Sequence, residues 1–375
     1  MDFVSAENFI INKQSLGIMP GLSRIEKLLC KMGNPQENLK IIHVAGTNGK
    51  GSVASMIASA LQKAGFKTGL FTSPWVIEYR EQIKINGKMI SKIDFAKYVS
   101  QYKDSDATEF ELLTGIMYKY FADEAVDYAV VECGMGGLED STNAFSHPEI
   151  AVITSVAMDH MNFLGTTLNE IASQKAGIIK KNSICVLYHN SGCESVFEKR
   201  CRETGSKLVK ISDYGDFRLN NLKTAEAVLN CLNVTATVDF PQLPARTEKV
   251  SSDVMIDGAH NENGAFALEK ALPQGEITAV MGMMADKDFD AYLKIIAPHC
   301  KKIITTTPSN PRALSADELA KAAKKYCNDV TAVSNPQKAL LLARQNCKFL
   351  LVCGSFYLAR DISCLLYTSP SPRDR

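Results

Sequence analysis

A glycine-rich stretch, Gly46 to Ser52 (GTNGKGS), carries the strongest chemical signal in the sequence. It lies between a short apolar run, Ile41 to Ala45, and a segment of helical period. Glycines in such a turn let backbone N–H groups face a polyphosphate, and the helix N-terminus favours negative charge. Lys50 can neutralise phosphate and Ser52 can hold a metal ion, although Gly51 between them departs from the strict phosphate-loop pattern. A purely structural strand-to-helix turn is the alternative.

Two further apolar runs end in residues that can bind metal ions. Glu132 closes the run Tyr128 to Glu132 and is followed by a glycine-rich stretch. His160 follows the run Ile150 to Thr154 after a short loop. Ligands bind at the carboxyl ends of strands in open α/β sheets, where a carboxylate beside polyphosphate is a natural Mg²⁺ ligand. A carboxylate facing water and a structural histidine are the alternatives.

A third group of polar residues lies in the last third of the chain. Asp257, His260 and Asn261 follow a strand-like run and directly precede a helical segment. At the mouth of a second sheet they could contact nucleotide, and an elaborate helix N-cap is the alternative. Arg246 lies just upstream, where a guanidinium can bind phosphate. An interdomain salt bridge is the competing interpretation of Arg246.

The elements that must position these residues alternate between apolar runs and segments of helical period, which predicts parallel βαβ construction. The predicted fold class is α/β: a phosphate-loop domain with a doubly wound parallel sheet, followed by a smaller Rossmann-like α/β domain. Asn86-Gly87 within Gln82 to Ser91 predicts a hairpin with a type I′ turn. The predicted strands are 41–45, 68–72, 128–132, 150–154, 184–188, 254–256, 277–281, 302–306, 330–333 and 349–352. The predicted helices include 53–64, 110–122, 168–179, 265–272, 289–297, 316–326 and 336–344.

The domain boundary is predicted where Pro241 and Pro244 interrupt this alternation. The first domain is therefore expected over residues 1–240 and the second over residues 247–362. The last residues, 363–375, are expected to be a disordered or non-native tail, because Leu365 to Arg375 shows neither helical nor strand periodicity.

The composition excludes several classes of protein. A length of 375 residues favours two domains, and a net charge of +1 provides no large field for nucleic acid or an anionic membrane. The 11 cysteines contain no C-x-x-C pair, which indicates reduced, mostly buried thiols in the cytoplasm. No apolar run approaches the length of a membrane span. We therefore expect a cytoplasmic, monomeric enzyme with small-molecule substrates.

The ordered motifs resemble the folylpolyglutamate synthase and dihydrofolate synthase family, which belongs to the Mur-type ATP-dependent amide ligases. The resemblance runs from about Leu22 to Ile362. Its motifs are GTNGKGS, FTSP, EYREQIKINGKMIS, TEFELLTGIMYKYFADEAVDYAVVECGMGGLEDSTN, ITSVAMDHMNFLGTTLNEIASQKAGIIK, PARTEK, MIDGAHNENG, GMMADKDF and VCGSFYLA.

The resemblance implies ATP and Mg²⁺ as cofactors, with two metal sites, and folate or dihydropteroate and L-glutamate as substrates. The ATP γ-phosphoryl group would pass to the substrate carboxylate, and the amine of glutamate would then attack the acyl phosphate. Lys175 would be carbamylated. The implied catalytic residues are Lys50, His160 and Lys175. The implied ATP-binding residues are Thr47, Asn48, Gly49, Lys50, Gly51, Ser52, Asn221, Arg246, Asp257, His260 and Asn261. The implied metal ligands are Ser52, Ser73, Glu132 and His160, and the implied substrate contacts are Pro74, Trp75 and Arg80.

The sequence departs from the family pattern at two places. The family commonly has SPHL where this chain has Ser73-Pro74-Trp75-Val76, so Trp75 could stack on a flat heterocycle or simply pack. The usual H-Q-x-x-N-A is replaced near Asn221, which could substitute in the contact to the ATP base.

Two other functions compete with folate glutamylation. A Mur-type ligase for cell-wall peptides would share the phosphate loop, but the loop begins at residue 46 and no extra N-terminal domain for a UDP-sugar is apparent. A catalytically silent nucleotide-binding homologue would bind ATP without ligase activity.

Overall fold

The computed structural model describes residues 1–17, 19–190, 192–345 and 347–367. The chain divides into two compact units. The larger unit comprises Met1–Pro74 and Tyr79–Pro241, and the smaller comprises Trp75–Glu78 and the chain from Gln242 onward.

The larger unit is built on an eight-stranded sheet in the order β4-β3-β2-β5-β1-β6-β7-β8. Six of its strands run parallel, and the β3–β4 hairpin adds an antiparallel edge. Asn86 and Gly87 both have positive φ, as a type I′ turn requires, so the predicted hairpin is confirmed. The strands are β1 Ile41–Ala45, β2 Thr68–Phe71, β3 Ile83–Ile85, β4 Lys88–Met89, β5 Tyr128–Glu132, β6 Ile150–Ile153, β7 Ile184–Leu187 and β8 Lys207–Lys210.

Helices cover both faces of this sheet, which explains why its central strands are mostly apolar and do not alternate with polar residues. Strands β1 and β6 are buried at every position. Helices α3 and α9 pack on one face, and α7 and α8 lie on the other. The helices are α1 Phe3–Asn12, α2 Ser23–Lys31, α3 Lys50–Lys63, α4 Lys92–Tyr102, α5 Glu109–Asp123, α6 Met161–Leu164, α7 Leu168–Ala176, α8 Glu194–Thr204 and α9 Phe217–Cys231, with 3-10 turns at Lys13–Leu16, Pro35–Asn38, Tyr79–Gln82 and Ser141–Asn143.

Local capping fixes the start of α7, the helix that carries Lys175. The side chain of Thr167 accepts a hydrogen bond from Glu170 N, and the carboxylate of Glu170 accepts one from Thr167 N. The helix ends at Ala176, so the predicted end at Ile179 was wrong by three residues. Lys175 therefore lies in the last turn.

The smaller unit has a six-stranded sheet in the order β13-β12-β11-β14-β10-β9, parallel except for the β9–β10 pair. Two apolar clusters fill its two faces. The strands are β9 Glu248–Ser251, β10 Val254–Asp257, β11 Ile277–Met281, β12 Cys300–Thr305, β13 Val330–Ala332 and β14 Phe349–Cys353. The helices are α10 Glu262–Glu269, α11 Phe289–Ile296, α12 Ala316–Ala323, α13 Pro336–Ala343 and α14 Phe356–Tyr367, with a 3-10 turn at Ala297–His299.

The chain end differs from its prediction. Helix α14 continues to Tyr367, and Leu366 is buried in the apolar cluster of the smaller unit. The expectation that ordered structure stops before residue 363 was therefore wrong for residues 363–367. The remainder of that predicted tail, 368–375, lies outside the described residues.

Two smaller expectations concern cysteines and membranes. Ten cysteines of the described chain are free thiols, and seven of them are buried, which confirms the predicted burial. In the part of the chain that the structure describes, no helix combines the length and apolar character needed to cross a membrane.

Candidate active site

The loop Gly46 to Ser52 joins the carboxyl end of β1 to the N-terminus of α3, as predicted. Two of its glycines are required by close approaches. A Cβ atom on Gly46 would lie 1.8 Å from Thr154 Oγ1, and one on Gly49 would lie 2.8 Å from Asn221 Oδ1. Gly49 also has a φ of 86°, in the left-handed region that favours glycine.

Hydroxyl groups just after β6 fix the shape of this loop. Thr154 Oγ1 and Ser155 Oγ donate to Asn48 O at 2.8 and 3.2 Å. Thr47 N donates to Ser155 O at 2.6 Å, and Thr47 Oγ1 both donates to Ala157 O and accepts from Ala157 N at 3.1 Å. Sequence reasoning did not single out Thr154 and Ser155. Their only sequence signal is a pair of hydroxyl residues directly after a buried strand.

The amides at the tip of the loop remain available. The backbone N–H groups of Gly49, Lys50, Gly51 and Ser52 donate to no acceptor among the described residues, and the first bond of the helix runs from Val53 N to Gly49 O. These amides lie at the positive end of the α3 dipole. The loop therefore has the geometry that binds polyphosphate.

Two lysines approach the same loop from different elements. Lys50 Nζ donates to Thr47 O at 3.2 Å, and Lys175 Nζ donates to Gly46 O at 2.9 Å. The side chain of Lys175 is buried, and burial, with a smaller contribution from the charge of Lys50, lowers its pKa to about 7. An appreciable fraction of Lys175 is thus neutral near neutral pH. A lysine on a helix is usually solvated, but Lys175 is buried.

Glu132 and Ser73 meet beside the loop. Strand β5 lies next to β1, so that Glu132 is level with Val44 in the sheet. Its buried carboxylate accepts a hydrogen bond from Ser73 N at 3.1 Å. No cluster of three or more His, Cys, Asp or Glu side chains suited to a metal ion occurs among the described residues. A carboxylate completed by the hydroxyls of Ser52 and Ser73, phosphate oxygens and water is a donor set that fits Mg²⁺.

His160 follows the same loop segment that clamps the glycine-rich turn. Its backbone has a φ of 50°, and His160 N donates to Asp159 Oδ1 at 2.8 Å, directly before α6. The side chain is half-buried.

Asp140 is a buried carboxylate that sequence reasoning missed. It accepts hydrogen bonds from Met135 N at 2.7 Å and Thr142 N at 3.0 Å, and burial raises its pKa. These bonds fix the glycine-rich stretch after Glu132. The signal available in the sequence was an acidic residue closing a run of glycines.

In the smaller unit, Asp257 organises the turn after β10. Its Oδ1 accepts from Ala259 N at 2.7 Å and its Oδ2 from Thr247 N at 2.6 Å. Burial raises the pKa of Asp257, while these two bonds oppose that shift. Asn261 Oδ1 accepts from Gly264 N at 2.8 Å and so caps α10, as the structural alternative proposed.

His260 and Arg246 complete this group. His260 Nδ1 lies 2.9 Å from Gly258 O, and because a carbonyl only accepts, Nδ1 carries the proton. The guanidinium of Arg246 lies over the ring of Phe356, 4.9 Å from its centroid. Among the described residues, no carboxylate lies within salt-bridge distance of Arg246.

The predicted substrate contacts are placed less favourably. Arg80 is buried; it donates to Ile90 O and lies over the ring of Phe3, which argues against a direct contact to substrate. Trp75 falls in the smaller unit, where the guanidinium of Arg360 lies 4.2 Å from its ring centroid. Pro74 is exposed at the end of its segment.

Comparison with known proteins decides the family. The model of the Mur ligase middle domain matches residues 44–263, and that of the Mur ligase, glutamate ligase domain, matches residues 245–356. A dihydrofolate synthase/folylpolyglutamate synthase of Bacillus subtilis is 30% identical and is aligned over 96% of this chain and 98% of its own length. This chain belongs to the dihydrofolate synthase and folylpolyglutamate synthase family of Mur ligases.

Solved structures of Mur ligases of this family share the whole fold. Escherichia coli FolC in complex with DHPP and ADP superimposes with a TM-score of 0.88 at 25% identity, covering 98% of both chains. The bifunctional folylpolyglutamate synthase/dihydrofolate synthase of Yersinia pestis, complexed with AMPPNP and Mn ion, gives a TM-score of 0.87 at 25% identity, again covering 98% of both chains.

The first prediction for this Mur ligase tests the close approach at Gly46. Gly46→Ala forces Cβ into Thr154 Oγ1, and we expect nucleotide affinity to fall by about tenfold or more. Calorimetric titration with a non-hydrolysable ATP analogue measures this. Gly33→Ala is the control, because Gly33 also has positive φ but no atom within 4 Å of a Cβ. Unchanged affinity in Gly46→Ala would contradict the geometry.

The second prediction concerns the buried charge of Lys175. Its pKa is lowered from 10.5 to about 7, so between these values the unfolded chain binds one more proton than the folded one. The contribution of Lys175 to the free energy of unfolding therefore rises with pH between about 7 and 10.5, by about 1 kcal/mol per pH unit. Chemical denaturation of the wild type and Lys175→Met between pH 7 and 9, in CO2-free buffer, measures the difference. Parallel pH profiles for the two proteins would refute it.

Proposed function

We propose that this chain is an ATP-dependent ligase that adds L-glutamate to folate and also to dihydropteroate, through an acyl phosphate. The observation that carries the proposal is the row of unpaired backbone amides from Gly49 to Ser52. Their loop is accompanied by the buried Lys175, which donates to Gly46 O, and by the buried Glu132 at the end of the neighbouring strand. The family membership supplies the substrate class.

The phosphate loop supports the ATP half of the reaction. Four amides and Lys50 offer donors to the phosphate oxygens, which concentrates positive charge where the γ-phosphoryl group is transferred. The rigid clamp by Thr154 and Ser155 means that these donors need little reorganisation on binding. We assign Thr47, Asn48, Gly49, Lys50, Gly51 and Ser52 to ATP.

Metal ions would be held by oxygen ligands around Glu132. We assign Ser52, Ser73 and Glu132 to one Mg²⁺ site and His160 to a second. When bound, Mg²⁺ neutralises charge on the phosphates during transfer. The protein contributes a fixed carboxylate, because Ser73 N donates to Glu132 and the sheet holds that carboxylate at the end of β5.

Lys175 is proposed to be carbamylated. Carbamate formation requires a neutral amine, and burial lowers the pKa of Lys175 to about 7. The modification replaces a buried cation beside Lys50 with an anion, which removes the repulsion between the two lysines. A carbamate at this position would lie near the loop carbonyl of Gly46.

The two domains are proposed to divide the work. Residues 1–240 form the ATP-binding domain with the folate-binding loops, and residues 247–362 form the glutamate ligase domain. Arg246, Asp257, His260 and Asn261 are assigned to nucleotide, as is Asn221, whose amide lies against Gly49. Pro74, Trp75 and Arg80 stay predictions for the substrate, and the position of Arg80 supports that role least.

The setting of the enzyme is also a proposal. Free thiols suit a reducing compartment, so a cytoplasmic location is proposed. The balanced charge favours small-molecule substrates over nucleic acid or an anionic membrane. A monomer is proposed.

The family relationship favours folate glutamylation over its competitors. The Bacillus subtilis relative, which matches this chain over nearly its whole length, is named a dihydrofolate synthase/folylpolyglutamate synthase. No observation favours a UDP-sugar peptide. The intact loop, lysine and glutamate argue against a catalytically silent homologue.

The third prediction is the acceptor requirement. Phosphate release from ATP should require Mg²⁺, L-glutamate and a pterin-containing acceptor together, and mass spectrometry should show the acceptor gaining one glutamyl unit. Tetrahydrofolate and dihydropteroate are tested separately, with a UDP-sugar peptide as the control acceptor. The proposal would be overturned if only the UDP-sugar peptide supported turnover. It would also be overturned if neither the pterin-containing acceptors nor the UDP-sugar peptide supported turnover.

The fourth prediction is the separate role of Lys175. Lys175→Ala should lower turnover by about 100-fold or more, the scale for losing a charged group at a reacting centre, while the affinity for ATP changes little. Lys181→Ala is the matched control, because Lys181 is an exposed lysine shortly after the same helix. Bicarbonate dependence of wild-type turnover after exhaustive CO2 removal supports the carbamate. Full turnover by Lys175→Ala would rule that role out.

A further inference from the structure

The backbone on both sides of Arg246 is held in an uncommon conformation. Ala245 and Thr247 have φ values of 54° and 47°, in the left-handed region that non-glycine residues adopt at a cost in energy. Such strain persists only where the surroundings fix it. Here two residues of the same turn carry it, with Arg246 between them.

Hydrogen bonds to residues in β9 and at the end of β10 hold this turn in place. Ala245 N donates to Glu248 Oε2 at 2.8 Å, and Thr247 N donates to Asp257 Oδ2 at 2.6 Å. Gly258 N donates to Ala245 O at 2.7 Å. The turn is therefore tied to the end of β10, and the backbone of Arg246 is fixed.

The side chain of Arg246 rests on an aromatic ring. Phe356 is the first residue of α14, and its ring lies 4.9 Å from the Arg246 guanidinium and 6.2 Å from the His260 ring, edge to face at 67°. The ring also occupies the space beside Gly258, where a Cβ would lie 2.6 Å from Phe356 Cδ1. Phe356 thus lies against Arg246 in the turn before β9 and against Gly258 and His260 in the turn after β10.

A guanidinium placed this way is prepared for an anion. The ring face attracts the cation but accepts no hydrogen bond in the guanidinium plane. Within the described chain no carboxylate pairs with Arg246, so its N–H donors are not committed to an ion pair. A planar fork of donors suits the oxygens of phosphate.

We propose that Phe356 is a positioning residue that holds Arg246 for the phosphates of ATP. The inference rests on the nucleotide role assigned to Arg246 under the proposed function. The ring touches the cation, not the substrate, and acts through it. The competing explanation is that Phe356 only fills space in the apolar cluster of the smaller unit.

The fifth prediction compares variants of the full chain. Phe356→Leu should raise the KM for ATP and the Kd of a non-hydrolysable analogue by about five- to thirtyfold, the upper part of the range of a cation–π contact. Phe356→Tyr keeps the ring and should stay near wild type. The KM for L-glutamate should not move, and Phe266→Leu, which alters a half-exposed ring on α10, is the control.

A double-mutant cycle separates positioning from space filling. If the ring acts through Arg246, Phe356→Leu adds little to Arg246→Ala, so the double variant binds nucleotide about as weakly as Arg246→Ala alone. Additive losses, or a Phe356→Leu variant whose KM for ATP stays within about twofold of wild type, overturn the proposal. Should Phe356→Leu not fold, Phe356→Met is judged by the same criteria.

Failure of this inference is distinguishable from failure of the proposed function. If Arg246→Ala weakens ATP binding but Phe356 variants do not, only the positioning role is lost. If Arg246→Ala leaves ATP affinity unchanged, the nucleotide role of Arg246 and this inference are both lost, while glutamate ligation by the wild type stands on its own assay.

Discussion

The larger unit depends on one constraint, the strand-to-helix junction at which β1 ends and α3 begins. Buried parallel strands bring the ends of β1, β2, β5 and β6 to one edge of the sheet. The residues that follow those strands then share a small volume. Thr154 and Ser155 satisfy the carbonyl of Asn48, which leaves the amides of the loop tip for an anion. The ATP and metal-binding roles proposed in this unit all depend on these available amides.

Burial sets the chemical state of the groups around the loop. Lys175, in the last turn of α7, is buried and lies near the charge of Lys50, and both effects lower its pKa. Burial has the opposite effect on the pKa of Asp140, which its backbone hydrogen bonds partly offset. The same sheet therefore shifts an amine toward neutrality near a carboxylate that is held by amides. Such shifted groups are typical of sites where charge changes during a reaction.

In the smaller unit the notable feature is a strained backbone, whereas in the larger unit it is a row of unpaired amides. Two left-handed residues flank Arg246, and the carboxylate of Asp257 accepts a hydrogen bond from the backbone N–H of one of them, Thr247. The conformation is maintained by hydrogen bonds to Asp257 and Gly258 at the end of β10, which lies between β14 and the edge strand β9. A side chain on such a turn starts from a fixed backbone position, and the ring of Phe356 further restricts the conformation of the Arg246 side chain. Arg246 is thereby held in one place, which is the basis of the nucleotide role proposed for it.

The sequence by itself determined much of the framework and of the site. Strands Ile41–Ala45, Tyr128–Glu132 and Ile277–Met281 were predicted to the residue, because a buried parallel strand is a short apolar run bounded by turn residues. The phosphate loop was predictable for a related reason: glycines, a lysine and a following helical period are adjacent in the chain, so their geometry is local. The ordered motifs also identified the family.

Only the tertiary structure decided contacts between distant segments. The end of α14 was missed, because Leu366 is held by an apolar cluster and not by local periodicity. The same limit hid the pairing of Lys175 with Gly46, the burial of Arg80 and the ring of Phe356 under Arg246. Each depends on which side chains meet across the fold, and on the removal of water from between them. Neither is encoded in the spacing of residues along one segment.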